Sequence, residues 1–209
     1  MKVCIVLFFF FSLFNADAQL SADFSLGALQ SFGKDKYELF SSTTQPVGVY
    51  GSTSKRYNKI GLRARSTLSK KITDRINVML QTGFNFRINE EFFGKNYYYY
   101  TVPIQGGLCY KIFKKKSSIL SINSFSGINV FKIQNKYGKQ QSGFIQNGEL
   151  SYSFIRNGFI KSIIVKAGYE YQIDNETYFF KSIDPFTKDE DFNYKVKRNQ
   201  IYLAFGVGL

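Results

Sequence analysis

Charged side chains recur inside segments where apolar and polar residues alternate, and they are the groups of this chain best suited to chemistry. Side chains of one parity share one face of a β-strand, and these charges fall on the polar parity. The positions are Asp23, Arg63, Arg65, Arg87, Glu149, Lys166 and Glu170. Cations and carboxylates held in one narrow interior can pair and hydrogen-bond to amides. We interpret the set as a structural charge network, with a proton or ion path as the alternative.

Histidine is absent from the chain, and this excludes several kinds of site. A Ser-His or Cys-His dyad and a His-ligated metal centre both require it. Glu149 and Glu170 leave a carboxylate-only hydrolase as the remaining enzymatic alternative. We predict no catalytic residue, no metal and no cofactor.

The stretch from Tyr98 to Ile112 indicates how such charges would be positioned. Its even positions are apolar with tyrosines towards both ends, whereas its odd positions are mostly small or polar. The span from Tyr100 to Tyr110 projects to roughly 25 Å at a strand tilt of about 40°. This is the height of the apolar band of an outer-membrane barrel, so the stretch predicts a membrane-spanning strand.

The same alternation recurs to the last residue, without a helical period of any length. It predicts eight strands, at 20–29, 59–68, 75–88, 98–112, 119–131, 143–154, 163–171 and 201–209. Short turns are predicted at 69–73, 113–118 and 155–160, and longer links at 30–58, 89–96, 132–142 and 172–197. Short periplasmic turns that alternate with longer outer loops are typical of outer-membrane barrels. The predicted fold is therefore all-β, an eight-stranded antiparallel up-and-down transmembrane β-barrel with both ends of the strand series on the periplasmic side.

An interior bounded by eight strands is just wide enough for side chains to fill. Glycines on the polar parity are expected to make room there for arginine and tyrosine side chains. They are Gly27, Gly83, Gly107, Gly127, Gly168 and Gly206. We predict a plugged barrel without a wide channel.

The first residues have the features of a cleaved secretory signal. Lys2 precedes an apolar run from Val3 to Phe14, and Ala16-Asp17-Ala18 fits the small-x-small cleavage rule. We predict a signal peptide at 1–18 and a barrel domain at 19–209. After cleavage Cys109 is the remaining thiol, so an intramolecular disulfide is not expected.

The net charge of +13 is strongly basic. In an exported chain this favours contact with outer-membrane lipid headgroups and lipopolysaccharide phosphates, and we expect no nucleic acid partner. The basic turns contain Lys70, Lys71, Arg75, Lys111, Lys114, Lys115, Lys116, Arg156 and Lys161. A periplasmic protein partner for these turns is the alternative to lipid contact.

Three segments together give the chain a resemblance to a known family. They are the signal ending Ala16-Asp17-Ala18-Gln19, the Tyr-rich strand that carries Val102-Pro103-Ile104, and the closing run from Gln200 to Leu209. With these features the chain resembles the PorT-like family of small bacterial outer-membrane β-barrel proteins. The resemblance implies a barrel without a catalytic motif, with a role in protein secretion or a purely structural one. It also implies that the last strand, through Phe205, Val207 and Leu209, is a signal for the barrel-assembly machinery.

Aromatic residues near the strand ends are expected to form girdles at the two membrane interfaces. They are Tyr98, Tyr100, Tyr110, Phe144 and Phe154. A sugar-stacking platform at residues 97–100 is the alternative for the tyrosine cluster.

Two function classes fit these patterns. The first is a non-enzymatic integral outer-membrane barrel whose loops bind an extracellular partner or mediate adhesion. The second is an exported soluble barrel of lipocalin type that holds a small apolar ligand, since the same alternation can fold with its apolar face inward.

Overall fold

The computed structural model of the chain describes residues 20–32, 34–42, 51–56, 60–92, 95–131, 138–140, 143–180 and 190–209. The predicted signal peptide lies outside these residues and stays a prediction. The described strands are β1 (Leu20–Ser31), β2 (Lys34–Ser42), β3 (Gly51–Arg56), β4 (Ile60–Lys71), β5 (Ile76–Phe92), β6 (Lys95–Lys114), β7 (Ser118–Phe131), β8 (Gly138–Gln140), β9 (Gly143–Ile155), β10 (Ser162–Phe180) and β11 (Glu190–Gly208). Among these residues there is no helix long and apolar enough to cross a membrane.

Eight of the strands form a closed antiparallel barrel, as predicted. The ring runs β1, β4, β5, β6, β7, β9, β10 and β11. It closes because β11 pairs with β10 on one edge and with β1 on the other, with Ile201 opposite Tyr169 and Val207 opposite Phe24. Closure gives each backbone N–H and C=O of the ring a neighbouring strand, which a bilayer requires.

Strand β4 shows how the sequence determines the two faces. Its side chains alternate strictly between exposed and buried along most of its length. Leu62 is 62% exposed on the outside, whereas Arg65 is 0% exposed on the inside. The apolar parity of the strand therefore faces outward, and the charged parity fills the lumen.

The short turns lie where the sequence predicts them, and local hydrogen bonds close them. In the first turn the Thr73 hydroxyl accepts hydrogen bonds from the backbone N–H groups of Arg75 (3.2 Å) and Ile76 (2.9 Å). In the turn after β9, Gly158 has φ 127°, a value that L side chains rarely adopt. Because short turns mark the periplasmic rim, this end of the barrel is periplasmic.

The longer links differ from the prediction, because strands occupy much of their length. The link 30–58 contains β2 and β3, and the link 132–142 contains β8. Strand β5 continues to Phe92, β6 begins at Lys95, and these two residues pair, so strands occupy most of 89–96. The link 172–197 is also mostly strand, since β10 ends at Phe180 and β11 begins at Glu190. These segments lie beyond the membrane, where both faces of a strand can be polar, so the apolar alternation that signals a strand is missing.

The added strands build a sheet above the extracellular end of the barrel. Strand β2 pairs with β11 between Lys36 and Ser42, and β3 pairs with β2. On the other side β8 pairs with β10 at residues 176–178. The resulting order is β3-β2-β11-β10-β8, and this set of strands is called the extracellular sheet below.

Glycines on the polar parity serve two purposes, of which only one was predicted. A Cβ at Gly168 would meet the ring of Tyr202, so this glycine does make room for a tyrosine. A Cβ at Gly83 would instead overlap the carbonyl oxygen of Ala64 on the neighbouring strand. The expectation of space for arginines is therefore wrong at Gly83, where the close approach of two backbones requires the glycine.

The contrast between two glycines of the barrel gives a test of the closed sheet. Gly83→Ala is expected to destabilise the barrel by about 3 kcal/mol, the upper end of what overpacking costs. Gly148→Ala, the matched control, adds its methyl group where nothing lies within 4 Å. On a mild SDS gel of unboiled samples, the folded barrel migrates differently from the unfolded chain. The measurement is the fraction of the protein in the band of the folded barrel. A folded band for Gly83→Ala equal to that of Gly148→Ala would contradict this packing.

Candidate functional site

The centre of the lumen is an ion cluster built across the barrel from β4 and β10. The Arg65 Nη2 lies 3.1 Å from Glu170 Oε2, and the Arg63 Nε lies 3.7 Å from the same oxygen. The other carboxylate oxygen of Glu170 accepts a hydrogen bond from the Asn85 amide at 2.9 Å. All of these side chains are buried, so burial and closely placed partners together keep the charges in fixed positions.

Glu149 on β9 is the second node of the network. Its carboxylate accepts hydrogen bonds from the Tyr202 hydroxyl (3.0 Å) and the Asn123 amide (2.9 Å). It also lies 3.8 Å from Arg63, whose guanidinium stacks 3.8 Å above the Tyr202 ring. Tyr202 was not predicted as a site residue, although its inward parity on the last strand is readable from the sequence.

Lys166 and Asp23 form the third group, nearer the periplasmic end. The Lys166 Nζ lies 2.5 Å from an Asp23 oxygen and 3.9 Å from Glu149. The structure thus brings Asp23, Arg63, Arg65, Glu149, Lys166 and Glu170 into one connected network. The side chain of Arg87, the remaining predicted member, lies outside the described side chains.

An ion pair towards the extracellular end escaped the sequence prediction. The Arg198 Nη1 lies 3.0 Å from an oxygen of Asp174, and both side chains are fully buried. Gln172 and Asn129 donate hydrogen bonds to the same carboxylate at 2.6 and 3.0 Å. Both charged residues keep the inward parity of strands β10 and β11, and they were missed because those strands were predicted to be shorter.

The ion-paired charges inside the lumen balance among the side chains that the structure describes. The cations are Arg63, Arg65, Lys166 and Arg198, and the anions are Asp23, Glu149, Glu170 and Asp174. Side-chain amides fill the space beside the clusters, and they include Gln81, Gln105, Asn147, Gln172 and Gln200. Because most of these groups are 0% exposed, the middle of the lumen is solidly packed.

The lumen also holds a small apolar cluster that the sequence did not predict. Met79, Cys109 and Phe125 pack together and are buried. A Cβ at Gly107 would overlap the Phe125 ring, so this glycine makes room for the phenyl group. The three residues line part of a cavity of about 270 Å³ at the periplasmic end of the barrel.

Apolar and aromatic side chains cover the outside of the barrel. Tyr100 lies 5.6 Å from the Phe84 ring and 5.0 Å from the Phe86 ring, towards the extracellular end. Tyr110, Phe144 and Phe154 are also exposed, while the side chain of Tyr98 lies outside the described side chains. On the last strand Phe205 (61%) and Leu209 are exposed, and Val207 is half-buried. An apolar exterior around a charged interior is the reverse of a lipocalin, so the soluble alternative is wrong.

Basic residues surround the periplasmic rim. Lys70, Lys71, Arg75, Lys114, Lys115, Lys116, Arg156 and Lys161 lie in or beside its turns. Asp74, the anion of the first turn, pairs with Lys71 at 2.5 Å. The hydrogen bond from Lys71 lowers the pKa of this carboxyl below its usual range.

The described residues contain no cluster of acidic, thiol or imidazole groups suited to a metal ion. Both carboxylates of the hydrolase alternative are held by structural donors, Glu170 by Arg65 and Asn85, and Glu149 by Tyr202 and Asn123. Their arrangement favours a packing role over acid–base chemistry.

Removing the central carboxylate tests this role. Glu170→Gln leaves Arg63 and Arg65 without their shared charge partner, and we expect a loss of about 3–5 kcal/mol in the free energy of unfolding. The measurement is urea unfolding of the purified barrel in lipid vesicles. In the double variant Glu170→Gln/Arg65→Met one stranded cation is gone, so part of the loss should be recovered. Asp74→Asn in an exposed turn is the control and should change little; an equally small effect of Glu170→Gln would contradict the network.

One of the comparisons with solved structures, that with OprG, supports the fold. No protein-family model and no curated protein matches the chain at a significant level. The crystal structure of the outer membrane protein OprG from Pseudomonas aeruginosa superposes with a TM-score of 0.55, at 11% identity, over 90% of this chain and 95% of that one. Neisserial surface protein A gives 0.45 at 11% identity over 92% and 99% of the two chains. Ail, the attachment invasion locus protein of Yersinia pestis, gives 0.36 at 14% identity over 90% and 98%.

The likeness to OprG concerns the fold alone. The surface of this chain supplies the argument for its location in a membrane. Its outward strand residues form an apolar band, its charges lie inward, and its barrel is closed. The chain is therefore an integral β-barrel of the bacterial outer membrane.

Proposed function

We propose that this protein is a non-enzymatic outer-membrane barrel that binds an extracellular partner through its extracellular sheet. The observation that carries the proposal is the continuation of barrel strands far beyond the membrane. Strands β10 and β11 are each 19 residues long, whereas crossing a bilayer takes about 9–11 residues per strand. Their excess length is paired throughout, from Ile173 opposite Lys197 to Phe180 opposite Glu190.

The extracellular sheet has the right construction for a rigid recognition surface. Strand β2 adds to β11, and the Lys197 ammonium lies 2.5 Å from a Glu38 oxygen across this pairing. At the far side β3 pairs with β2 alone among the described strands. An edge of this kind can accept an extended segment of another protein as a further strand.

The packed lumen supports binding over transport. The buried layer around Glu170 draws side chains from β4, β5 and β10, and no water-sized molecule reaches it in the described structure. The narrower role in protein secretion, which the PorT-like resemblance implies, would use the same membrane scaffold with a partner on either face.

Shortening one extension tests the proposal while sparing the barrel. Gln30 lies opposite Ile60, so an Asn-Gly turn in place of residues 31–59 can join β1 to β4 directly. We expect this variant to keep its heat-modifiable band and surface level, and to lose the adherence and cell–cell aggregation that the full chain confers on a non-adherent host. A full chain that confers neither property, or a variant that keeps both, would overturn the proposal.

Conductance gives an independent check of the closed lumen. In planar lipid bilayers the purified chain should show no stable open channel, because its centre is filled by paired side chains. A steady ohmic conductance of a purified, fully folded sample would instead favour transport through the barrel.

A further inference from the structure

The periplasmic half of the lumen contains a cavity that the binding role outside the cell does not use. Its volume is about 270 Å³, and all eight barrel strands contribute to its wall. Each strand of the ring, from β1 to β11, supplies at least one lining residue. In chain order these include Ser21, Thr67, Asn77, Cys109, Ser121, Ser151, Lys166 and Gly208. Its lining reaches rim residues such as Lys161 and Leu209, whereas the packed layer around Glu170 lies above its inner end. The cavity is thus a blind cup that faces the periplasm.

The wall of the cup is rich in hydrogen-bonding groups. It contains the hydroxyls of Ser21, Thr67, Ser69, Ser121, Ser151, Ser153 and Ser162. Hydroxyls rotate to donate or accept as required, so such a wall suits a ligand that carries several polar atoms. Cys109, Met79 and Phe125 form an apolar patch beside them, and Ile119, Ile155 and Ile164 add further apolar surface to the wall.

One buried atom of the wall has unused hydrogen-bonding capacity. The Asn123 amide nitrogen donates to Glu149 at 2.9 Å and to Ser151 at 3.2 Å. Its carbonyl oxygen Oδ1 is buried and has no hydrogen-bond partner among the described residues, although Asn123 is only 5% exposed. Because this oxygen is closed off from the cavity, Asn123 contributes to the wall through its amide group, which holds Glu149 and Ser151 in place.

The charge of the cup favours anions. Its lining carries Lys111, Lys161 and Lys166 against Asp23 and Glu149. Lys166 is already paired with Asp23. The ammonium groups of Lys111 and Lys161 lie near the mouth, and Lys111 donates one hydrogen bond to Asn77 at 3.0 Å. The basic rim outside adds to this excess of positive charge, and a positive potential attracts anions.

We propose that this cup binds a small hydroxylated anion that enters from the periplasm. Lys111 and Lys161 attract the anionic group, and the serine hydroxyls hold the hydroxyl groups of the ligand. A cavity of about 270 Å³ has room for a compact ligand. The site is separate from the extracellular sheet, so either proposal can fail while the other stands.

Cys109 offers a built-in reporter, because it lies in the cavity wall and the chain's other cysteine falls in the predicted signal peptide. The purified barrel in detergent would be treated with an anionic and a cationic methanethiosulfonate reagent of similar size. We expect the anionic reagent to modify Cys109 on the order of tenfold faster, with the preference reduced at high salt. Equal rates, a faster cationic reagent, or a thiol that reacts only after unfolding would overturn the proposal.

A matched pair of variants separates the cup from the general charge of the rim. Lys111→Gln/Lys161→Gln removes two cations of the cavity lining, and Lys115→Gln/Arg156→Gln removes two from turns outside it. The first variant should lose most of the anionic preference and the second should keep it. The comparison requires that both variants retain the heat-modifiable band. If both variants lose the preference for the anionic reagent equally, that preference comes from the charge of the rim alone.

Ligand protection then tests binding itself. Glycerol 3-phosphate is expected to slow the modification of Cys109 in a saturable way, whereas neutral glycerol and sodium sulfate at matched ionic strength should not. If sulfate protects equally well, the effect is screening at the mouth and the site is wrong. If glycerol protects equally well, the anionic group is not recognised and the proposed ligand class is wrong.

Discussion

The pairing of backbone polar groups in a medium without water is the constraint on which the rest of this structure depends. Hydrocarbon offers no partner to a free N–H or C=O, so a sheet that crosses it must close on itself. β11 achieves this by pairing with both β10 and β1. Once the ring is closed with eight strands, the outward side chains face lipid and the interior is narrow. Charged residues of the spanning strands are thereby directed inward, where each needs a partner.

The lumen network answers that need with contacts between strands that are not neighbours in the sheet. Arg65 on β4 reaches Glu170 on β10, and Arg63 reaches Glu149 on β9. Such bonds connect opposite walls of the barrel, which the backbone ladder alone does not do. Buried ion pairs add little net stability, but breaking one is costly, so they favour one packed arrangement over others. The amide side chains around Gln81 and Gln105 complete this packing without adding charge.

The packed centre separates two faces of the molecule, for which we propose different purposes. Above it, the extracellular sheet continues the register of β10 and β11 away from the membrane. Its outer strands, β3 and β8, each pair with one neighbour among the described strands. Below it, the lumen widens into the periplasmic cup, where Phe125 and the pair of Lys166 and Asp23 mark the inner wall. The described side chains leave no open path through the packed layer, so the proposed binding outside and the proposed binding inside do not depend on each other.

The sequence by itself determined which way each side chain of the spanning strands faces, because the lipid requires an apolar residue at every second position. The eight-stranded barrel, the inward positions of Arg63, Arg65, Glu149 and Glu170, and the short turns all follow from that period. Only the tertiary structure decided which charges meet, since Lys166 and Asp23 lie 143 residues apart and Arg65 and Glu170 lie 105 apart. It also revealed the pair of Asp174 and Arg198 and the strands of the extracellular sheet. Outside the bilayer both faces of a strand can contact water, so apolar and polar residues need not alternate there. Cross-strand register depends on the closure of the whole ring, which no local sequence pattern encodes.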